Sequence, residues 1–244
     1  MTGEHGKNTL TAPSDVLCGD PGDPDSLWKM AWECQERPVG TFWLVSKGKK
    51  GYLLVPTDRI RGIECPALIS GAFARNNYWQ TAVERSDYWF SKPRWGTVGL
   101  GINAAGSRSH DQLHIHMSAV RQGVKAELDK ARQAGTVAGD LKSWPNRLTT
   151  VTGVDEEKNP PQPDPRSYRV VHVDSFQQYN LFNALYESVV TPTHEQMGEQ
   201  TMIVIGAGAG PADGYYILNS RKDLPHTAPA PKGIGYCDSV LICK

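Results

Sequence analysis

Short runs of aromatic and β-branched residues, separated by turn-forming residues, constrain the fold of this chain more than any other feature. Residues 41–47 (TFWLVSK) and 51–57 (GYLLVPT) flank the turn sequence KGKKG, a pattern typical of a β-hairpin that pairs 41–46 with 51–55. The runs TVGLGIN and QLHIHMSAV indicate two further strands, joined by the polar loop 104–111. These signals predict a sheet built largely from neighbouring antiparallel strands.

Helical patterns lie between the strand signals. Apolar residues recur at helical spacing from Leu27 to Cys34, with Ser26 or Asp25 as the N-cap. Aromatic residues at similar spacing predict a helix within 72–90 that packs on the sheet, and residues 121–144 also favour a helix. The mixture of strands and helices predicts an α+β protein.

The second half of the chain repeats this mixture after a proline-rich stretch. The stretch 154–166 holds four prolines and mixed charges, which indicates a surface loop. A strand (YRVVHV), a helix at about 175–190 and a hairpin formed by TMIVIGA and GYYILNS are predicted to follow. We therefore expect a polar tail over 1–24 and one domain over 25–244, with halves 25–153 and 167–244.

Composition excludes several classes of function. The 26 basic and 26 acidic residues balance, so no general charge favours nucleic acid or an anionic membrane. The sequence contains no run of about 18 apolar residues, so no transmembrane helix is predicted. The polar N-terminal stretch lacks the apolar core of a signal peptide. These features predict a cytoplasmic protein without a membrane span.

The five cysteines show no spacing typical of a zinc site, so reduced thiols are expected. A Cys34–Cys237 disulfide is expected only in an oxidising compartment. Cys65 is interpreted as a structural residue.

The segment QLHIH carries the strongest chemical signal. If it is a strand, side-chain alternation places Gln112, His114, His116 and Ser118 on one face and the apolar residues on the other. The two imidazoles would then be presented on a polar face beside the loop of Arg108 and its flanking serines. This arrangement suits a phosphoryl group, which neutral imidazole can attack while cations and donors stabilise its oxygens.

Two other interpretations of the histidine pair remain open at this stage. It could belong to a metal site together with His110, Asp111 or His172, although these follow no familiar ligand spacing. It could also be a pair of strand histidines without a role in catalysis.

Several blocks of the sequence resemble bacterial CDP-diacylglycerol pyrophosphatases, which belong to the histidine-triad (HIT-like) superfamily. The blocks are GYLLVPTDRIRGIE at 51–64, Asn77-Tyr78, Ile102-Asn103 and QLHIH at 112–116. The resemblance implies a HIT-like antiparallel sheet with flanking helices, on which the C-terminal strand, helix and hairpin pack.

The resemblance also implies roles for individual residues. His114 occupies the position of the nucleophile that becomes nucleotidylated, and His116 that of the third histidine, which helps bind the phosphate and the leaving group. Gln112 replaces the first histidine of the triad, as in the pyrophosphatase branch. The further substrate-binding candidates are Ser109 and Arg108 at the phosphate, Arg59 and Arg61 at a second phosphate, and Asn77 and Asn103 at the nucleotide or in turns.

The implied reaction is a double displacement that needs no metal or cofactor and releases CMP. The substrate is expected to be CDP-diacylglycerol of phospholipid metabolism or a soluble CDP derivative, because the polar tail stands where family members carry a hydrophobic segment. A nucleotidyl or phosphotransferase acting on a small acceptor, and a nucleotide-binding module without turnover, remain alternatives. The oligomeric state is undetermined, with a homodimer left open.

Overall fold

We describe the protein from a computed structural model. The structure describes residues 25–35, 42–48, 51–71, 73–90, 98–178, 180–208, 213–224 and 231–243. The tail expected over 1–24 lies outside these residues, as does Cys18.

The described residues form a single eight-stranded sheet in which every pairing is antiparallel. Its strands are β1 (Phe42–Ser46), β2 (Tyr52–Pro56), β3 (Val98–Ile102), β4 (Ile115–Ala119), β5 (Leu148–Asp155), β6 (Gln162–Val173), β7 (Thr201–Gly206) and β8 (Tyr215–Ser220). The order across the sheet is β1-β2-β4-β3-β7-β8-β6-β5. Both predicted hairpins, β1–β2 and β7–β8, are confirmed.

Helices pack around this sheet and complete an α+β fold. They are α1 (Ser26–Gln35), α2 (Tyr78–Phe90), α3 (Val124–Gln133), α4 (Leu181–Leu185) and α5 (Thr191–Thr193), with a π-helical turn over Tyr186–Val190. Asp25 caps α1, because its Oδ1 accepts hydrogen bonds from the backbone N–H groups of Leu27 and Trp28 at 2.9 and 3.0 Å. No helix in the described ranges has the length and apolarity that a membrane span requires.

Apolar side chains cover both faces of the sheet. Ile115 and Met117 of β4 point into the larger core, which includes Trp79 of α2 and Phe182 of α4. The opposite face packs against α3 and the C-terminal segment, which we define as residues 236–243. The alternation of β4 therefore turns His116 towards the C-terminal segment.

The proline-rich stretch differs from its prediction. Instead of a loop over 154–166, most of it belongs to the β5–β6 hairpin, in which Pro163 pairs with Val154 and Pro165 with Thr152. The pairing of β6 with β8 begins only at Arg169, so these prolines lie where the ladder to β8 has not started. A proline is tolerated there because it removes no ladder hydrogen bond.

Three predicted helices are shorter in the structure. The aromatic helix begins at Tyr78 rather than 72, because Asn77 caps it by accepting a hydrogen bond from Gln80 N at 3.0 Å. The helix expected over 121–144 ends at Gln133, just before Gly135 with its positive φ of 73°. The third begins at Leu181 rather than 175, where Asn180 accepts from Phe182 N.

The expectation that all cysteines are reduced thiols is wrong for Cys65. Cys65 is buried and disulfide-bonded, whereas Cys237 and Cys243 are buried free thiols. A Cys34–Cys237 bridge is therefore not formed. Because disulfides persist mainly in oxidising compartments, the disulfide of Cys65 does not favour the cytoplasmic expectation.

Gly101 of β3 allows the C-terminal segment to approach the sheet. A Cβ atom at this position would lie 2.6 Å from the Cβ of Cys237 and 2.7 Å from its sulfur. We expect Gly101→Ala to lower the free energy of unfolding by ~1–3 kcal/mol through overpacking. Urea denaturation measures this change, and Gly139→Ala is the control, because a Cβ there meets nothing within 4 Å. Equal stabilities of the two variants would contradict the predicted close packing.

Candidate active site

The two histidines of QLHIH are buried rather than presented on an open polar face. His114 is 5% exposed and His116 is 7% exposed. The strand also begins later than predicted, at Ile115, so His114 lies just before β4 and His116 within it. The C-terminal segment covers this region: Ser118 Oγ donates to Ile242 O at 2.6 Å, and Ile242 N donates to Ala119 O at 2.9 Å.

The hydrogen bond of His114 determines which of its ring nitrogens can react. Nδ1 lies 2.7 Å from the carbonyl oxygen of Gln112. Since a carbonyl only accepts, Nδ1 carries the proton, and in the neutral ring Nε2 holds the free lone pair. Burial lowers the pKa of His114 to about 4 against the opposing effect of this hydrogen bond, and the nearby charges of His110, Arg108 and Lys47 lower it further. The ring is therefore neutral at neutral pH.

His116 has a different environment from His114. Burial holds its pKa well below the ordinary value, and the charges of His114 and Lys47 act in the same direction. The rings of His114 and His116 are in contact, with centroids 5.1 Å apart. His116 thus supports one side of the His114 ring.

A third imidazole extends this pair into a row. The ring centroid of His110 lies 6.0 Å from that of His114 in an edge-to-face arrangement, and its side chain is 34% exposed. Its Nδ1 lies 3.6 Å from Oδ1 of Asp25. The sequence interpretation considered His110 only as a metal ligand, because it falls in a loop and strand alternation does not apply there. The available signal was that His110 is separated from His114 and from His116 by an even number of positions.

The Gln112 side chain is engaged by backbone groups of the protein. It is fully buried, and its Nε2 donates to the carbonyl oxygens of Asp58 at 2.8 Å and Pro56 at 3.3 Å. Its Oε1 accepts from Ile60 N at 3.4 Å. The side chain therefore holds the 56–60 segment against the backbone that carries His114. These contacts support a positioning role, and the substrate contact expected of Gln112 stays a prediction.

Arg108 is likewise engaged by protein groups rather than open to a phosphate. Its guanidinium forms a bidentate pair with Glu64 at 2.5 and 2.6 Å and also donates to Asp111 at 2.9 Å. The Arg108 side chain is only 6% exposed. Two carboxylates compensate its charge, so the structure assigns it to the support of the loop before β4.

We expect Arg108→Met to lower the free energy of unfolding by about 2 kcal/mol, because Glu64 and Asp111 would be left close together without their cation. Urea denaturation measures this loss. Lys125→Met is the matched control, since Lys125 and Asp129 form a partly exposed pair one helical turn apart and worth roughly 0.3–0.5 kcal/mol. A loss no greater than that of the control would show that the Arg108 cluster contributes little to stability.

The remaining cationic and hydroxyl candidates lie near the histidine segment. Leu113 N donates to Ile60 O at 2.6 Å, which holds the segment of Arg59 and Arg61 beside it. The Arg59 guanidinium stacks over the Trp28 ring at 5.3 Å. The Arg61 side chain is 40% exposed, with Nη2 3.6 Å from an Asp111 oxygen. Ser109 is exposed on the loop before β4.

The two asparagine candidates have structural partners. Asn77 caps α2 and donates from Nδ2 to Phe176 O at 3.1 Å. Asn103 Oδ1 accepts from Cys237 N at 2.9 Å and so anchors the C-terminal segment. Both residues therefore have structural partners, and the nucleotide contacts expected of them stay predictions.

The fold and the site together define an α+β protein with one antiparallel sheet and a row of histidines at a central strand. Comparison with known proteins gives the family. The model of the family "CDP-diacylglycerol pyrophosphatase" matches residues 43–231, and the chain belongs to this family.

A relative with a known name supports this assignment. The chain is 31% identical over 156 residues to the CDP-diacylglycerol pyrophosphatase of Yersinia pestis. The alignment covers 51% of this chain and 59% of that protein. The chain thus spans about three fifths of the length of this relative.

Proposed function

We propose that this protein hydrolyses the pyrophosphate bond of CDP-diacylglycerol, with His114 as the nucleophile. The observation that carries the proposal is the 2.7 Å contact between His114 Nδ1 and the Gln112 carbonyl, because it leaves Nε2 as the basic nitrogen of a neutral ring. The family membership and the name of the Yersinia pestis relative support the choice of substrate.

The proposed reaction has two displacements. In the first, the Nε2 lone pair attacks the phosphorus that bears cytidine, the N–P bond forms, and the bridging P–O bond breaks to release phosphatidate. In the second, water attacks the same phosphorus, the N–P bond breaks, and CMP leaves with one proton of the water lost to solvent. Nothing is oxidised or reduced, and the His114 imidazole is regenerated.

The charges around His114 suit an anionic substrate. Lys47 and His110 act on His114 through space, and both are at least partly exposed. We assign them, with Arg61 and Ser109, to contacts with the diphosphate oxygens, since cations and donors stabilise the negative charge of the transition state. His116 is assigned a positioning role, because it contacts the His114 ring and lies beneath the C-terminal segment.

The test of this proposal is a labelled turnover. The chain is incubated with CDP-diacylglycerol that carries ³²P at the cytidine-bearing phosphorus, in water enriched in ¹⁸O. We expect CMP that contains both labels, and a rapidly quenched sample in which ³²P stays on the protein through a bond that acid cleaves and base does not. CDP-choline in a parallel reaction measures whether a soluble CDP derivative is accepted.

Each of three other outcomes would contradict this proposal. Label transferred from the protein to an added alcohol instead of water would favour the transferase. Saturable binding of CDP-diacylglycerol without release of CMP would favour a nucleotide-binding module. ¹⁸O found in phosphatidate would place the attack on the other phosphorus and exclude His114 as the nucleophile towards the nucleotide.

A further inference from the structure

Four side chains that the proposed reaction does not use as reacting groups converge behind the histidine row. They are His116 of β4 and Cys237, Asp238 and Cys243 of the C-terminal segment. One donor atom of each lies within 4.8 Å of those of the others. Cys237 and Cys243 are free thiols. Imidazole, thiolate and carboxylate groups are each zinc ligands in proteins, and four such donors can complete a tetrahedral site.

The fold brings these donors together by specific packing. Gly101 is the register partner of His116 in the β3–β4 pair, and its missing side chain leaves the space that Cys237 fills. The Cys237 backbone is held by its bond to Asn103. At the other end of the segment, Ile242 bonds to Ser118 and Ala119 of β4. Both cysteines are therefore anchored to the strands beside His116.

His116 itself indicates a missing partner. It is 7% exposed, and its Nε2 has no hydrogen-bond partner among the residues that the structure describes. A buried polar atom without a partner destabilises the folded state, so its presence indicates a missing ligand. A bond to a metal ion would satisfy this nitrogen at the point where the thiols and the carboxylate meet.

We propose that His116, Cys237, Asp238 and Cys243 bind one Zn²⁺ ion. Four protein donors complete the tetrahedron, so the ion has a structural role, as in closed zinc sites. It ties the C-terminal segment to β4 and fixes the His116 ring against His114. Binding requires both thiols to lose their protons to solvent.

The sequence alone did not predict this site, because one ligand comes from β4 and the other three from the far end of the chain. Those three lie beyond residues 43–231, the part that the family model matches. The site is consistent with a reaction that needs no catalytic metal, since the ion would have no open position.

The experiment measures metal content and coordination rather than activity. The full chain is purified with a reductant, dialysed with Zn²⁺ or Co²⁺, and freed of unbound metal. We expect one zinc per chain by elemental analysis, and a cobalt spectrum with the sulfur-to-metal and d–d bands of a tetrahedral thiolate site. Cys243→Ser should lose both bands and metal, whereas the control His172→Asn, a buried histidine of β6, should retain them.

A partial variant keeps the test informative if the serine variant does not fold. Asp238 is only partly buried, so Asp238→Asn should fold and bind zinc at least ~10-fold more weakly. Zinc below 0.1 per chain after reconstitution, or unchanged affinity in Asp238→Asn together with unchanged metal content in Cys243→Ser, would overturn the site. A Cys237–Cys243 disulfide that gives no zinc binding after reduction would also overturn it.

Discussion

Replacing His114 with asparagine is expected to lower kcat/KM for CDP-diacylglycerol by at least ~10³-fold, because the variant has no nitrogen lone pair for attack on phosphorus. The ³²P-labelled protein intermediate should disappear at the same time. Asparagine can still donate a hydrogen bond to the Gln112 carbonyl, so the loss should fall on the chemical step. The measurement is steady-state release of CMP, with circular dichroism to confirm that the variant is folded.

The matched control for this prediction is His172→Asn. His172 is 8% exposed, lies on β6 of the same sheet, and has Nε2 3.1 Å from the Asp213 carbonyl. It therefore tests the same chemical change at a buried strand position outside the histidine row. The variant should retain most of its activity. Equal losses in the two variants, or a folded His114→Asn protein that turns over normally, would contradict a nucleophilic His114.

The largest effect on stability is expected from Glu195→Gln. Glu195 forms a bidentate pair with Arg169 at 2.6 and 3.0 Å, and the two side chains are only 6% and 4% exposed. Without the carboxylate the guanidinium would be buried beside Asn219 with no anion on its other side. Removing one partner of a buried ion pair typically costs ~3–5 kcal/mol, and we expect a loss of this size in urea denaturation.

Two comparisons make this prediction specific. Glu199→Gln removes an exposed partner of Arg221 and should cost less than about 1 kcal/mol. The second comparison is the dependence on pH. Burial alone would raise the pKa of Glu195, but its bonds to Arg169 and the charge of Arg221 outweigh burial and hold the pKa below its ordinary value.

The direction of this pH dependence follows from the lowered pKa. The stabilisation by Glu195 is complete above the pKa of the unfolded chain, about 4.3, and is lost as the pH falls through the lower pKa of the folded state. The difference in stability between the wild type and Glu195→Gln should therefore shrink below about pH 4. A difference that stays constant from pH 7 to pH 3 would contradict the assigned ion pair.

The local features of the fold were predictable from the sequence. Alternation and turn residues identified both hairpins, and the spacing of apolar residues identified α1, since strands and helices impose periods that appear within a few residues. The proline-rich stretch was predicted wrongly, because whether a proline is tolerated in a strand depends on its neighbour across the sheet. That neighbour is β8, and the local sequence does not show that its ladder with β6 begins only at Arg169.

Residue types in one short segment determined the chemistry that this protein can be proposed to perform: QLHIH and the blocks around it point to the proposed nucleophile and to the family. Only the tertiary structure decided what the surrounding side chains do. Arg108 is paired with Glu64, 44 positions away, and Gln112 holds the 56–60 segment. The physical reason is that the partner of a polar side chain is set by which distant backbone or charge the fold brings within about 3 Å of it.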